Sequence, residues 1–420
     1  MSTREVQFYG PIGEAVQEVA PTVGVDPVGI YAASLSMWSM AISDKVFMDS
    51  RRIRSPLVST VLVAGTGVGK NVMLRAARHI MEDSVGHDVR IRETSGITSG
   101  ASLVDYLTEQ MALTKEALGY EDKRVIVIDE EWKETLVTVA RDRSYGTKIR
   151  QAWDCETLRN TRMRKGPNDG PQVVHSARVV FHSHITPEDW QQHVSLKEAA
   201  GGSYNRFLPV LLQKMPLVRN PKMGDSDTSA LTDAFSWIRQ ESPIMELSKA
   251  ADNLDWAIRR GERILDEILP PHQSVFVSRT AEQVRRVAAL LACSVGDSVI
   301  SREQMLAAAS FVGHSIDSVK ILTRDGQGSK RAPRSFSERV IAELESHPGG
   351  VPSAILQRRT GALASDLEHL AATGVITIDK KVDGPGRPTK LCRLNKGRPA
   401  GSGIAMSVAD QNPFLEVIGL

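Results

Sequence analysis

Apolar residues in this chain follow two different periods. Residues 58–63, 125–128 and 179–181 are short runs rich in β-branched and other apolar residues. Such runs read as strands of a parallel sheet buried on both faces. The rest of the apolar pattern is mostly helical. Residues 12–20 form an amphipathic helix, and Asp26-Pro27 opens a second apolar helix through Met40, in which Met37, Trp38 and Met40 have the spacing of packing residues. Helices are also expected over 72–80, over 101–118 and from Glu131 to about Trp153, with a short strand at 89–92. Residues 158–174 read as two extended arms around a Gly/Pro/Asn turn, a β-hairpin. From 225 to 325 the pattern is helical again, over 231–241, 244–269 and 279–294, broken by Pro270-Pro271. After a Gly/Ser-containing linker, helices at 336–346, 352–358 and 361–373 precede strands at 375–378 and 390–394.

Where the first buried strand ends, the pattern breaks into Ala64-Gly65-Thr66-Gly67-Val68-Gly69-Lys70-Asn71 and then a helix. A glycine-rich turn between strand and helix lets backbone N–H groups wrap a phosphate at the positive end of the helix. Residues 65–71 are therefore the expected nucleotide contacts, with Lys70 reaching the β- and γ-phosphates. The string departs from G-x-x-x-x-G-K-[ST] twice. Ala64 stands at the first glycine, and Asn71 replaces the hydroxyl residue that binds Mg²⁺. An amide oxygen can face that cation, directly or through water. The competing reading is an ordinary glycine turn.

A second buried strand ends in Asp129-Glu130-Glu131. Asp129 would hold Mg²⁺ with Asn71, and Glu130 would polarise the attacking water. The strand at 177–185 carries His184 near its tip, either sensing the γ-phosphate or satisfying a local hydrogen bond. Arg206 follows a Gly-Gly loop, and it fits an arginine finger reaching a neighbouring subunit or a structural arginine at a helix end. The stretch from Ser278 to Arg286 is similar to the sensor-2 helix of AAA+ proteins. That resemblance implies that Arg279 reaches nucleotide, with Arg285 and Arg286 as runners-up, while an arginine at a helix start can equally be a surface charge.

These elements predict an α/β fold: a P-loop parallel-sheet core at 57–224, whose layout resembles AAA+ ATPases, with an N-terminal helical collar at 1–56 and a helical lid at 225–325. A winged-helix domain is expected at 330–395 and a flexible tail at 396–420. The first arm of the hairpin carries Arg159, Arg162, Arg164 and Lys165, which would meet a phosphate backbone or simply be solvated. In the winged helix, Arg358, Arg359, Lys380, Lys381 and Arg387 would contact DNA, although some winged helices bind only protein.

Composition narrows this little. The chain has 420 residues, 41% of them hydrophobic, and a net charge of +2. That length supports two or three domains. Three widely separated cysteines and the lack of a signal-like start or membrane-length apolar run fit a reducing, cytoplasmic setting without membrane partners.

Several of these strings also occur together in a known group. Phe8-Tyr9-Gly10 with Gly13-Glu14, Asp26-Pro27, the glycine loop, Ile128-Asp129-Glu130 and Trp153-Asp154 are followed by His184-Ile185-Thr186-Pro187-Glu188. Glu198-Ala199-Ala200 and Asn205-Arg206-Phe207-Leu208 complete the set. Over residues 8–320 the chain resembles helicase-like P-loop ATPases of bacterial plasmids, integrative elements and phages, often joined to or encoded beside a primase. The order of motifs is also similar to the minichromosome-maintenance type of AAA+ helicase. The resemblance implies an ATP- and Mg²⁺-dependent DNA helicase acting as a homo-oligomeric, hexameric ring with a primase as partner. A helicase loader or initiator, and a non-hydrolysing winged-helix DNA binder, are the alternatives.

Overall fold

A computed structural model describes residues 3–50, 53–140, 142, 144–160, 171–194, 199, 201–323, 336–347, 349–360, 364–372, 375–381 and 389–395. The described residues fall into two compact units, one up to residue 323 and one over 336–395.

The first unit opens with two helices, α1 (Gly10–Val23) and α2 (Pro27–Ile42). Asp26 caps α2 by accepting the Val28 N–H at 3.0 Å, and Pro27 fits the first helical position. Apolar all round, α2 is buried from Val28 to Ile42 and packs on the central sheet. A two-residue strand, β1 (Phe47–Met48), leads to β2 (Ser59–Val63), the glycine turn and α3 (Lys70–Met81). Next come a π-helical turn, α4 (His87–Arg90) and β3 (Glu93–Thr94), so the strand expected at 89–92 is displaced and shortened. Helix α5 (Gly100–Leu118) starts from a Ser99/Ser102 capping box and leads into β4 (Arg124–Asp129).

The single helix expected from Glu131 to Trp153 is two, α6 (Trp132–Val139) and α7 (Tyr145–Trp153). Asp142 breaks it: its carboxylate accepts the Ser144 and Gly100 N–H groups, both at 2.8 Å, which favours a turn over helix continuation. The hairpin arms are β5 (Leu158–Asn160) and β6 (Gln172–Val174), paired antiparallel. They lead to β7 (Arg178–Ile185), α8 (Pro187–His193) and β8 (Phe207–Leu211).

Five strands form one all-parallel sheet in the order β3-β4-β7-β2-β8. Thr60 lies opposite His182 and Leu62 opposite His184. From β2 the chain crosses β7 and β4 to reach β3, whereas from β7 it crosses β2 to reach β8. The connections thus leave neighbouring strands in opposite directions, the switch point at which open parallel sheets leave a crevice.

The region expected as three helices after residue 225 also contains two strands. It comprises α9 (Ser229–Glu241), β9 (Ile244–Leu247), α10 (Lys249–Ile268), α11 (Pro271–Val277), α12 (Thr280–Ser294), β10 (Val299–Ile300) and α13 (Arg302–Leu322). Ile244 and Glu246 are exposed while Met245 is buried, so this stretch alternates with period two, and β9 pairs in parallel with both β1 and β10. Helix α13 is long and apolar enough to cross a membrane, yet it packs against α12 and β8 with most of its apolar side buried.

The second unit contains α14 (Phe336–Glu345), β11 (Val351–Pro352), α15 (Ser353–Thr360), α16 (Ala364–Ala372), β12 (Ile376–Lys381) and β13 (Thr389–Leu394). Its strands are antiparallel in the order β11-β13-β12, over a core that includes Val340, Leu344, Leu356, Leu367 and Cys392.

Candidate functional site

The glycine turn needs glycine at two positions for backbone reasons. Gly67 has φ +80° and Gly69 φ +96°, and a Cβ on Gly69 would lie 2.9 Å from Val25 Cγ1. Gly69 is the residue from which α3 departs, so the first N–H groups of a 12-residue helix face the turn. The Lys70 ammonium donates 2.6 Å to the Ala64 carbonyl. Burial lowers its pKa, opposed by Glu131, Asp189 and Glu188.

This turn borders a cleft of about 340 Å³ at the carboxyl ends of β2 and β7, the switch point of the sheet. Gly65, Thr66, Gly67, Gly69, Lys70 and Asn71 line one wall. Glu130 and His184 line it as well, so most of the expected nucleotide site converges. Sequence reasoning missed Glu131, Lys133, Thr186 and Asp189, which share the cleft. A local signal existed for two of these. Thr186-Pro187 with Asp189 is a helix start, and Thr186 accepts the Asp189 N–H at 3.1 Å. Lys133 on α6 is paired with Asp189 at 2.9 Å, and that contact lowers the Asp189 pKa, with Thr186 contributing. The lining therefore holds Lys70 and Lys133 against Glu130, Glu131 and Asp189, one net negative charge.

Asp129 ends β4 but does not line the cleft. Its register partner is Ser183, one residue out of phase with His182 and His184. The Thr135 hydroxyl donates to one carboxylate oxygen, and the Glu131 N–H donates to the other at 3.3 Å. Asp129, the expected metal ligand, is thus held by Thr135 and the Glu131 N–H outside the cleft lining. No protein-family model matches the chain, and no curated protein matches its sequence.

His184 is fully enclosed, and its Nε2 lies 3.2 Å from His182 Nε2. Burial pushes the His184 pKa down to about 4, with Lys70 and Arg78 adding to the effect, and burial holds His182 well below the ordinary range. Both rings are neutral at pH 7.

Arg206 and Arg279 come together, but away from this cleft. Their guanidinium carbons each lie 5.1 Å from the centre of the Trp153 ring, and that of Arg286 lies 3.6 Å away. Arg206 is 4% exposed, donates to Asp154 at 3.1 Å and bonds the Gly202 carbonyl. Arg279 pairs with Glu282 at 2.8 Å. Arg206 is thus engaged inside its own chain by Asp154, Gly202 and Trp153.

Of the expected DNA contacts, Arg159 is exposed at the base of the hairpin, while Arg162, Arg164 and Lys165 lie outside the described residues. Arg358 and Arg359 are exposed on α15, and Arg359 pairs with Glu343 at 2.6 Å. Lys380 and Lys381 lie on β12 with their side chains outside the description, as Arg387 is altogether.

Proposed function

We propose that the chain binds a nucleoside triphosphate in this cleft and hydrolyses it to drive work on DNA, as an AAA+-like P-loop ATPase of the helicase type. One observation carries the reading. A glycine turn with two left-handed glycines delivers a helix N-terminus and Lys70 to the switch point of a parallel sheet, facing carboxylates and a buried histidine. The placement of β7 between the glycine-turn strand and the acidic strand supports the AAA+-like form.

The donor set fits Mg²⁺. Asn71 and Glu131 bring hard oxygens to a lining with one net negative charge, which by itself disfavours a polyphosphate. When bound, the cation would neutralise phosphate charge. The chain's own groups do the rest. The α3 N-terminus and Lys70 bind and orient phosphate, Glu130 accepts the proton of the attacking water, and the Lys133–Asp189 pair closes the far side.

The DNA part rests on the second unit. Three helices followed by an antiparallel hairpin, with Arg358 and Arg359 exposed, suit a winged helix. A hexameric ring and a primase partner belong to the same proposal. The test is Mg²⁺-dependent ATPase activity with and without DNA. Turnover stimulated by DNA, abolished by Lys70→Ala and reduced at least a hundredfold by Glu130→Gln with ATP binding retained, is the expected outcome. A Glu130→Gln protein with parental turnover removes the catalytic assignment. The capture of Asp129 by Thr135 favours a second reading, a nucleotide-binding DNA protein that turns over little. ATP binding without measurable turnover would select it.

A further inference from the structure

Behind the cleft, a run of polar side chains passes through the core. Ser36 Oγ of α2 lies 2.8 Å from Thr60 Oγ1 of β2, which lies 2.8 Å from His182 Nδ1. His182 Nε2 meets His184 Nε2 at 3.2 Å, with the rings edge to face at 87°. Ser36, Thr60 and His182 are completely buried, and His184 is 1% exposed. His184 Nδ1 is the exception: it is buried and has no partner among the described residues, although His184 lines the cleft. A buried nitrogen left in that state is costly unless a ligand completes it.

Proton counting limits what this nitrogen can be. Two neutral rings meeting through their Nε2 atoms need one N–H and one lone pair between them. If His184 carries the shared hydrogen, its Nδ1 is a lone pair and His182 Nδ1 donates to Thr60. If His182 carries it, Thr60 must donate to His182 Nδ1, Ser36 can donate to Thr60, and His184 Nδ1 is an N–H. Either arrangement can run in one direction; in the second the bonds run from α2 towards the cleft, and the Thr60 hydroxyl turns to His182 instead of the Ala32 carbonyl 3.3 Å away.

We propose that Ser36, Thr60 and His182 form a hydrogen-bond chain that holds His184 Nδ1 as a donor to the terminal phosphate of a bound nucleoside triphosphate. This rests on the nucleotide-binding reading above. Thr60 and His182 are positioning residues, and only His184 touches the ligand. An anion selects the donor arrangement and a cleft lacking the terminal phosphate does not, so the chain reports triphosphate against diphosphate to α2 in the core.

The test measures Mg²⁺-dependent binding of ADP and of a non-hydrolysable ATP analogue to the parent, Thr60→Val and Thr60→Ser. Removing the hydroxyl in Thr60→Val is expected to weaken analogue binding about tenfold, with ADP affinity within about twofold of the parent, and Thr60→Ser is expected to restore it. The second readout needs no substitution in the chain of bonds. Nitrogen-15 spectra of the histidine rings, assigned by difference with His184→Gln, should give His184 Nδ1 a protonated, pyrrole-type shift in the analogue complex. A pyridine-type shift there, or equal losses for both nucleotides in Thr60→Val, overturns the chain while leaving the site intact. A parent that binds neither nucleotide overturns the site itself.

Discussion

The strand that delivers Glu130 to the cleft is anchored at its other end by a buried ionic cluster, which makes a sharp test possible. Asp122 is 4% exposed and accepts from Arg124 at 3.0 and 2.8 Å and from Arg92 at 2.6 Å. Arg124 is enclosed as well, donating 2.6 Å to the Ala41 carbonyl and pairing with Asp44. Burial works against the Asp122 charge, but the bonds from Arg124 and then Arg92 outweigh it and hold the carboxyl at about 2 against an ordinary 3.8. The unfolded chain therefore binds a proton more readily than the folded one. The stabilisation is fully present above pH 3.8 and disappears as pH falls towards 2. A shift of this size corresponds to about 2 kcal/mol. Asp122→Asn should cost that amount, and up to about 4 kcal/mol with the arginines left short of a partner. All six tryptophans lie before residue 257. Urea unfolding followed by tryptophan fluorescence thus reads the first unit alone. The gap between parent and Asp122→Asn should be constant from pH 7 to 5 and shrink from pH 4 to 2.5. A gap under about 0.5 kcal/mol, or one indifferent to pH over that range, would refute the reasoning.

Two further substitutions probe the site and its surroundings. Gly69→Ala must place a methyl group against Val25 at positive φ and should destabilise the first unit by about 1–3 kcal/mol in the same urea assay, whereas Gly65→Ala, with open space around its Cβ, should stay within about 0.5 kcal/mol. Arg206→Ala strands Asp154 and uncovers Trp153, so a stability loss of about 2–3 kcal/mol is expected, with nucleotide affinity kept at temperatures where the protein stays folded. Unchanged stability with abolished turnover would return Arg206 to a role in trans.

Local signals carried much of the architecture. Clusters of β-branched residues mark β2, β4 and β7, and the glycine turn announces α3, because both patterns are set within a few residues. What escaped was set at long range. Strands β1 and β10 are two residues each and exist only through pairing with β9, some 200 and 50 residues away respectively, so neither has a period to detect. The same holds within the site. Glu130 and His184 were legible at strand tips, but the direction of Asp129 depends on its register with Ser183 and on Thr135 from the following helix. Arg206 looked like a finger because it follows a glycine loop. Its capture by Trp153 and Asp154 joins residues more than 50 positions apart, which spacing along the chain cannot reveal.

The two departures in the glycine motif bear unequally on what the cleft can do. In the proposed site, phosphate binding would draw on backbone N–H groups, the α3 N-terminus and Lys70, none of which depends on the side chains at positions 64 and 71. Turnover draws on a correctly held cation and a polarised water, and there Asn71 and the engaged Asp129 carboxylate both weaken the usual arrangement. On the proposed reading affinity and hydrolysis would therefore be separable, with binding carried by the fold and turnover by a few side chains. The buried His182–His184 pair sits on the side of that division where discrimination by terminal phosphate needs no hydrolysis. If the proposed nucleotide site holds, the protein would change state on exchanging diphosphate for triphosphate even where its chemistry is slow.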